Sequence, residues 1–111
     1  MDNKQKILNL IGLAEKAGKV ASGEFSTERA IKKGKAFLVI VSEEASNNTK
    51  KMFTDMCTYY NVPVVYLAEK EELGHCIGKA MRASLAILDE GFAKTIMKRM
   101  NVDGGSEYEG K

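Results

Sequence analysis

Arg29, Lys32, Lys33 and Lys35 crowd together behind the turn Ser22-Gly23, in the stretch SGEFSTERAIKKGKAFLVIV. Residues 16–35 hold six Lys or Arg against Glu24 and Glu28, a local excess of four positive charges. The first N–H groups of a helix have no partner within it, and they lie at its positive end. A glycine-opened helix start with a cationic flank therefore suits phosphates or electron-rich base edges. These residues read as a nucleic-acid-binding edge. A solvated charged face is the alternative that the charge run alone leaves open.

Other residue types that could do chemistry lack the spacing for it. GLAEKAGKV has the glycines and lysine of a phosphate-binding loop, but five residues separate Gly12 from Gly18. Val20 also follows Lys19 where the metal needs Ser or Thr. His75, the single histidine, stands beside Cys76. Adjacent helical residues point about 100° apart, so the two make a poor metal pair. Nor do they supply a nucleophile, base and orienter. Glu71-Glu72 fits the first-turn acids that complement a helix dipole. No catalytic residue, metal or cofactor is expected.

The elements that must position the basic stretch follow from pattern. Ser22 and Gly23 offer a capping hydroxyl and a permissive backbone, and Phe25 to Lys33 has no Pro or Gly to interrupt a helix. Gly34 is the expected stop, and Ala36 to Val41 reads as a strand covered on both faces. Ahead of it, residues 4–18 form an amphipathic helix with Ile7, Leu10, Ile11, Ala14 and Ala17 on one face and Asp2 or Asn3 as cap. Val20-Ala21 is a short edge strand. A helix over 48–60 carries Met52, Phe53, Met56, Cys57 and Tyr60 as a core stripe, closed by Asn61. A strand over Val64–Leu67 and a helix over 70–79 follow; Gly74 and Gly78 cost that helix propensity and imply close approach to a neighbour. Ser84–Leu88 is the last strand, Asp89 caps the last helix, and residues 102–111 form a flexible tail. Alternating helices and strands predict an α/β fold, a three-layer α/β/α sandwich with a small mixed, mostly four-stranded sheet.

Length and composition agree with a single domain over 1–101. The chain has 111 residues, 44% hydrophobic and 29% charged, as globular domains do. The net charge of +2 is small, but residues 1–100 carry 16 basic and 12 acidic groups, which favours a polyanion modestly. Cys57 and Cys76 form no C-x-x-C pattern, and there is neither an export signal nor an apolar run of membrane length. A cytoplasmic protein is expected.

The pattern Gly23-x-x-x-x-x-Arg29-Ala30-Ile31-Lys32-Lys33-Gly34-Lys35-Ala36, followed by LVIV, resembles the kink-turn RNA-binding ribosomal-protein superfamily of the L-seven-Ae and L-thirty-e type. The similarity continues through Asn61-Val62-Pro63-Val64 into Glu72-Leu73-Gly74-x-x-x-Gly78-Lys79, and covers about residues 5–100. The fuller run SGE…LVIVSEEASNNTKK…CTYYNVPV…DEGFA looks like the bacterial YlxQ-type branch. The resemblance implies a small non-enzymatic protein that binds structured, kink-turn-like RNA, with ribosomal RNA as one candidate, as a monomer without a membrane. In this superfamily the signature Gly-x-Asn-Glu-x-x-Lys opens the RNA-binding helix and reads the guanines of tandem G·A pairs. Here Gly23 matches the glycine and Arg29 the lysine, Glu24 fills the variable place, and Phe25 and Ser26 replace Asn and Glu. Arg29 can donate two bonds to a guanine edge, and Ser26 one. Phe25 either stacks on an unpaired base or packs the helix start as a hydrophobic staple. Lys32, Lys33 and Lys35 would hold phosphates. The superfamily's second contact is the loop before the last strand, here Met81, Arg82, Ala83 and Ser84. An interaction adaptor on the same fold is the alternative function.

Overall fold

The computed structural model describes residues 2–102. Five helices alternate with four strands: α1 (Asn3–Lys16), β1 (Val20–Ser22), α2 (Glu24–Lys32), β2 (Leu38–Val41), α3 (Asn47–Tyr60), β3 (Val64–Tyr66), α4 (Lys70–Cys76), β4 (Ser84–Ile87) and α5 (Glu90–Val102). Local chemistry sets most boundaries. Asp2 caps α1 by accepting from the Gln5 N–H at 2.8 Å, and Ser46 caps α3 through the Thr49 N–H at 3.1 Å. Asp89 Oδ2 accepts from the Phe92 N–H at 2.9 Å to open α5. Asn61, left-handed at φ 59°, closes α3.

The sheet runs β1-β4-β2-β3 and is mixed: β4 pairs antiparallel with both β1 and β2, while β3 lies parallel to β2. Ser22 faces Leu85 and Val41 faces Ser84, so β1 and β2 both finish at the end of the sheet where β4 begins. From that end α2 and α3 set off together over one face, as the connections β1-α2-β2 and β2-α3-β3 require.

Strand alternation divides the core in two. Leu38, Ile40, Leu85 and Ile87 point to the layer of α1, α4 and α5, meeting Ile7, Ile11, Leu73 and Ile96. Val39, Val41 and Ala86 point to α2 and α3, meeting Ala30, Ile31, Phe53 and Cys57. Three layers result, as the alternation of elements predicts. Burial pushes the Cys57 thiol up to about 12 and Cys76 to about 11, so neither is a thiolate at neutral pH. No helix among the described residues is long and apolar enough to cross a membrane.

Several boundaries differ from the sequence expectation. On α1 the buried face carries Leu8, whereas Ala17 lies past the helix and is exposed. Tyr60 leaves the core stripe of α3 and is exposed. β2 starts two residues late: Phe37 donates its N–H to the Ile87 carbonyl, but its side chain is exposed, and burial begins only at Leu38. α4 stops at Cys76, before Gly78, whose positive φ of 74° turns the chain out of the helix. Gly78 thus serves a turn rather than a close approach. At the other end α5 continues through Val102, where the flexible tail was expected to begin; the rest of that expected tail, residues 103–111, lies outside the described residues.

Gly74 does mark a close approach. A methyl group there would stand 1.7 Å from the Ala80 carbonyl oxygen, a backbone atom that cannot step aside. Gly74→Ala should therefore cost about 3 kcal/mol or more through overpacking. Urea unfolding followed by circular dichroism measures this; a loss below about 1 kcal/mol would show that the loop after α4 yields.

Candidate nucleic-acid interface

β1 delivers the chain to Gly23 at the end of its ladder with β4. The Gly23 N–H donates to the Ser84 carbonyl at 2.9 Å, one step past the paired strands, and Gly23 then becomes the N-cap of α2. Doing both requires φ 93°, ψ 160°, a conformation essentially confined to glycine. No side chain caps α2. Ser22, expected as a capping hydroxyl, instead belongs to β1 and accepts from Arg82 Nε at 3.2 Å. Thr27, fully buried on the inner face of α2, accepts from Ser84 Oγ at 3.4 Å. Three contacts thus seat the start of α2 against the loop before β4. The two stretches that the resemblance joins in function are neighbours in space.

Their side chains divide into exposed and internal groups. Glu24, Phe25, Ser26 and Arg29 are exposed along the first turns of α2, and Lys32, Lys33 and Lys35 follow at its far end, exposed too. Phe25 is 70% exposed, which rules out the hydrophobic-staple reading. Its ring instead carries the Arg29 guanidinium, whose central carbon lies 5.6 Å from the ring centroid. Phe25 and Arg29 are four residues apart, the helical neighbour spacing, so this pair was open to detection from the sequence. Met81 is 61% exposed and Ala83 half-buried.

Two expected contacts change character. Ser84 is 1% exposed, because β4 lies inside the sheet with both faces covered, so its side chain is internal. Arg82 is half-buried and braces the loop: besides Ser22 it donates through one terminal nitrogen to the Met81 carbonyl at 2.9 Å. It is first a positioning residue.

A hollow of about 380 Å³ is lined by Phe25, Glu28, Arg29, Lys32 and Lys33. Glu28, not singled out from sequence, bonds Lys32 Nζ at 3.0 Å and holds that ammonium group above its ordinary pKa. The side chains of Lys33 and Lys35 make no hydrogen bond or ion pair among the described residues, so they remain available to an anion. A larger hollow, about 540 Å³, lies between α1 and α4 and shares no residue with this one. Among the described residues no three His, Cys, Asp or Glu are grouped to hold a metal ion.

A mixed four-stranded sheet with α2 opened by Gly23, set beside a loop before the last strand, defines a fold with known members. Residues 5–97 match the Ribosomal protein L7Ae/L30e/S12e/Gadd45 family, and the chain belongs to it. Relatives include the RNA-binding protein YlxQ of Bacillus subtilis, 41% identical over 83% of this chain and 92% of that one. The RNA-binding protein YlxQ of Enterococcus faecium is 47% identical over 83% and 88%. Large ribosomal subunit protein eL8 of Thermoplasma volcanium is 31% identical over 87% and 81%. Among solved structures, a Bacillus halodurans protein of unknown function superposes with a TM-score of 0.83 at 34% identity, covering 86% of this chain and 97% of that one. A 15.5 kD RNA binding protein of Giardia lamblia shares the fold, with a TM-score of 0.76 at 18% identity over 92% and 88%.

Gly23→Ala should lose about 1–3 kcal/mol, the cost of forcing an L-residue into this backbone region. Thermal unfolding reads the loss directly. A variant as stable as the parent would show that α2 can start from another conformation.

Proposed function

We propose that this chain is a non-enzymatic, monomeric RNA-binding protein that recognises a kink-turn or a similarly bent internal loop in a translation-linked RNA of the cytoplasm. The observation that carries the reading is the bond between Gly23 and Ser84, which sets the exposed Phe25-Ser26-Arg29 edge beside the Met81 loop. Family membership and the RNA-binding names of the YlxQ relatives support it. The protein acts by favouring the bent RNA over the straight one, a shift in a folding equilibrium that requires only differential affinity.

In this reading Arg29 and Ser26 contact base edges while Lys33 and Lys35 contact phosphates, which position without reading sequence. Phe25 supplies in place of an asparagine amide a flat apolar face that holds Arg29 and can stack on an unpaired base. The free N–H groups at the start of α2 face the same side, and exposed Met81 offers a soft apolar surface from the loop.

Titration of a kink-turn RNA and a straight duplex of equal length at two salt concentrations tests the proposal. Tighter binding of the kink-turn is expected; weak and equal binding of both would favour an interaction adaptor. Arg29→Ala should lose about 1–3 kcal/mol of discrimination between the kink-turn and a mutant lacking its G·A pairs. Its folding stability should change by less than about 1 kcal/mol, since an exposed cation–π contact contributes little. Equal losses on both RNAs would make Arg29 a phosphate contact.

Lys33→Ala and Lys35→Ala should each weaken all RNA binding and flatten its salt dependence by about one counterion. An unchanged salt slope in both variants would remove these lysines from the interface.

A further inference from the structure

The RNA-binding reading leaves two exposed tyrosines at the end of α3 without a role. Phe53 and Cys57 bury the inner face of that helix, whereas Tyr59 and Tyr60 are 79% and 39% exposed. Neither hydroxyl makes a hydrogen bond among the described residues, so the rings are not held out by a polar anchor. They hold each other instead, edge to face, with centroids 4.9 Å apart.

Their position gives this aromatic pair a context. Because α2 and α3 leave the same end of the sheet and cross the same face, they pack against each other. Tyr60 lies within electrostatic range of Lys32, and the Lys33 ammonium group makes no ion pair among the described residues. Phe25, Arg29, Lys32 and Lys33 line one exposed hollow, and the neighbouring helix α3 carries the Tyr59–Tyr60 pair. The rise along α2 from Phe25 to Lys32 is about 10 Å. That matches about three stacked nucleotides at ~3.4 Å each.

We infer that Tyr59 is a stacking platform for an unpaired nucleotide flanking the bend of the bound RNA, with Lys32 and Lys33 taking the phosphates beside it. The inference rests on the RNA-binding reading above and extends its footprint onto α3. The chemistry selects the occupant. An exposed ring beside cations takes a base by its face and the backbone by its charge, whereas paired bases inside a stem present no free face. Phosphate attraction supplies the pull, and stacking supplies the preference for a single strand. The bent element would be gripped at α2 and its single-stranded flank laid across to α3.

The test uses the full chain and two RNAs: a kink-turn with blunt stems and the same kink-turn carrying a short unpaired extension. Since the chain has no tryptophan, Tyr59→Trp introduces a single fluorescent reporter at the proposed contact. Its emission should be quenched strongly by the extended RNA and little by the blunt one. Tyr59→Ala should weaken the extended RNA about five-fold or more and the blunt RNA by less than about two-fold, while Tyr59→Phe keeps the parental affinity for both. Equal effects of Tyr59→Ala on the two RNAs, or no difference in quenching, would overturn the assignment while leaving kink-turn recognition intact. Failure of the parent protein to prefer either kink-turn over a duplex would overturn the functional reading and this extension together.

Discussion

A single backbone hydrogen bond, from the Gly23 N–H to the Ser84 carbonyl, decides where the proposed RNA-binding surface stands. It continues the β1–β4 ladder one residue past the strands and hands the chain to α2 in the same step. A residue that must finish a ladder and cap a helix at once needs positive φ, and glycine provides it. Everything nearby is arranged around that junction. Thr27 turns inward to meet Ser84, and Arg82 reaches across to Ser22. Ser42, also fully buried, donates its hydroxyl to the Ala68 carbonyl. The buried hydroxyls of Thr27 and Ser84 satisfy each other where isolated ones would be costly, and so favour one seating of α2 over others.

Much of the architecture was legible from periodicity and punctuation. The apolar run ending in Leu38-Val39-Ile40-Val41 is buried on both faces, as a continuous strand pattern implies, and Asp2 and Asp89 stand where caps were expected. Less legible was what a residue does once two elements meet. Ser22 has a capping side chain, but ladder pairing with Leu85 claims it for the sheet. Ser84 reads as the opening residue of the last strand, and only the strand order reveals that it is enclosed. Gly74 and Gly78 look alike in sequence, yet one meets a carbonyl and the other turns the chain. Local pattern carries propensity, while tertiary neighbours assign the role.

In the proposed reading, α2 departs from the signature that the resemblance implies in a physically coherent way. Where an amide would offer directed hydrogen bonds, Phe25 offers a surface, and that surface holds Arg29 in a defined orientation. Orientation of a long cation limits the side-chain entropy lost when it binds. Charge is tempered at the same time: Glu28 engages Lys32, and Glu24 sits in the first turn, where it suits the helix dipole. The positive end of α2 lies beside the loop before β4, while the lysines occupy its far end. Positive potential is therefore spread along the helix rather than gathered at one point.

The place of β4 has a consequence for the order in which the molecule is built. It is the last strand in sequence but lies second in the sheet, between β1 and β2, where it supplies the only bridge that joins β1 to the other described strands. During synthesis β2 and β3 can pair early, whereas β1 must wait for a partner more than sixty residues downstream. Closing such a long loop is slow and entropically costly, so the sheet is completed late. The start of α2 and the Met81 loop depend on that same closure. A growing chain therefore carries its basic segment from early on but lacks the geometry of the proposed interface until its final strand has been made.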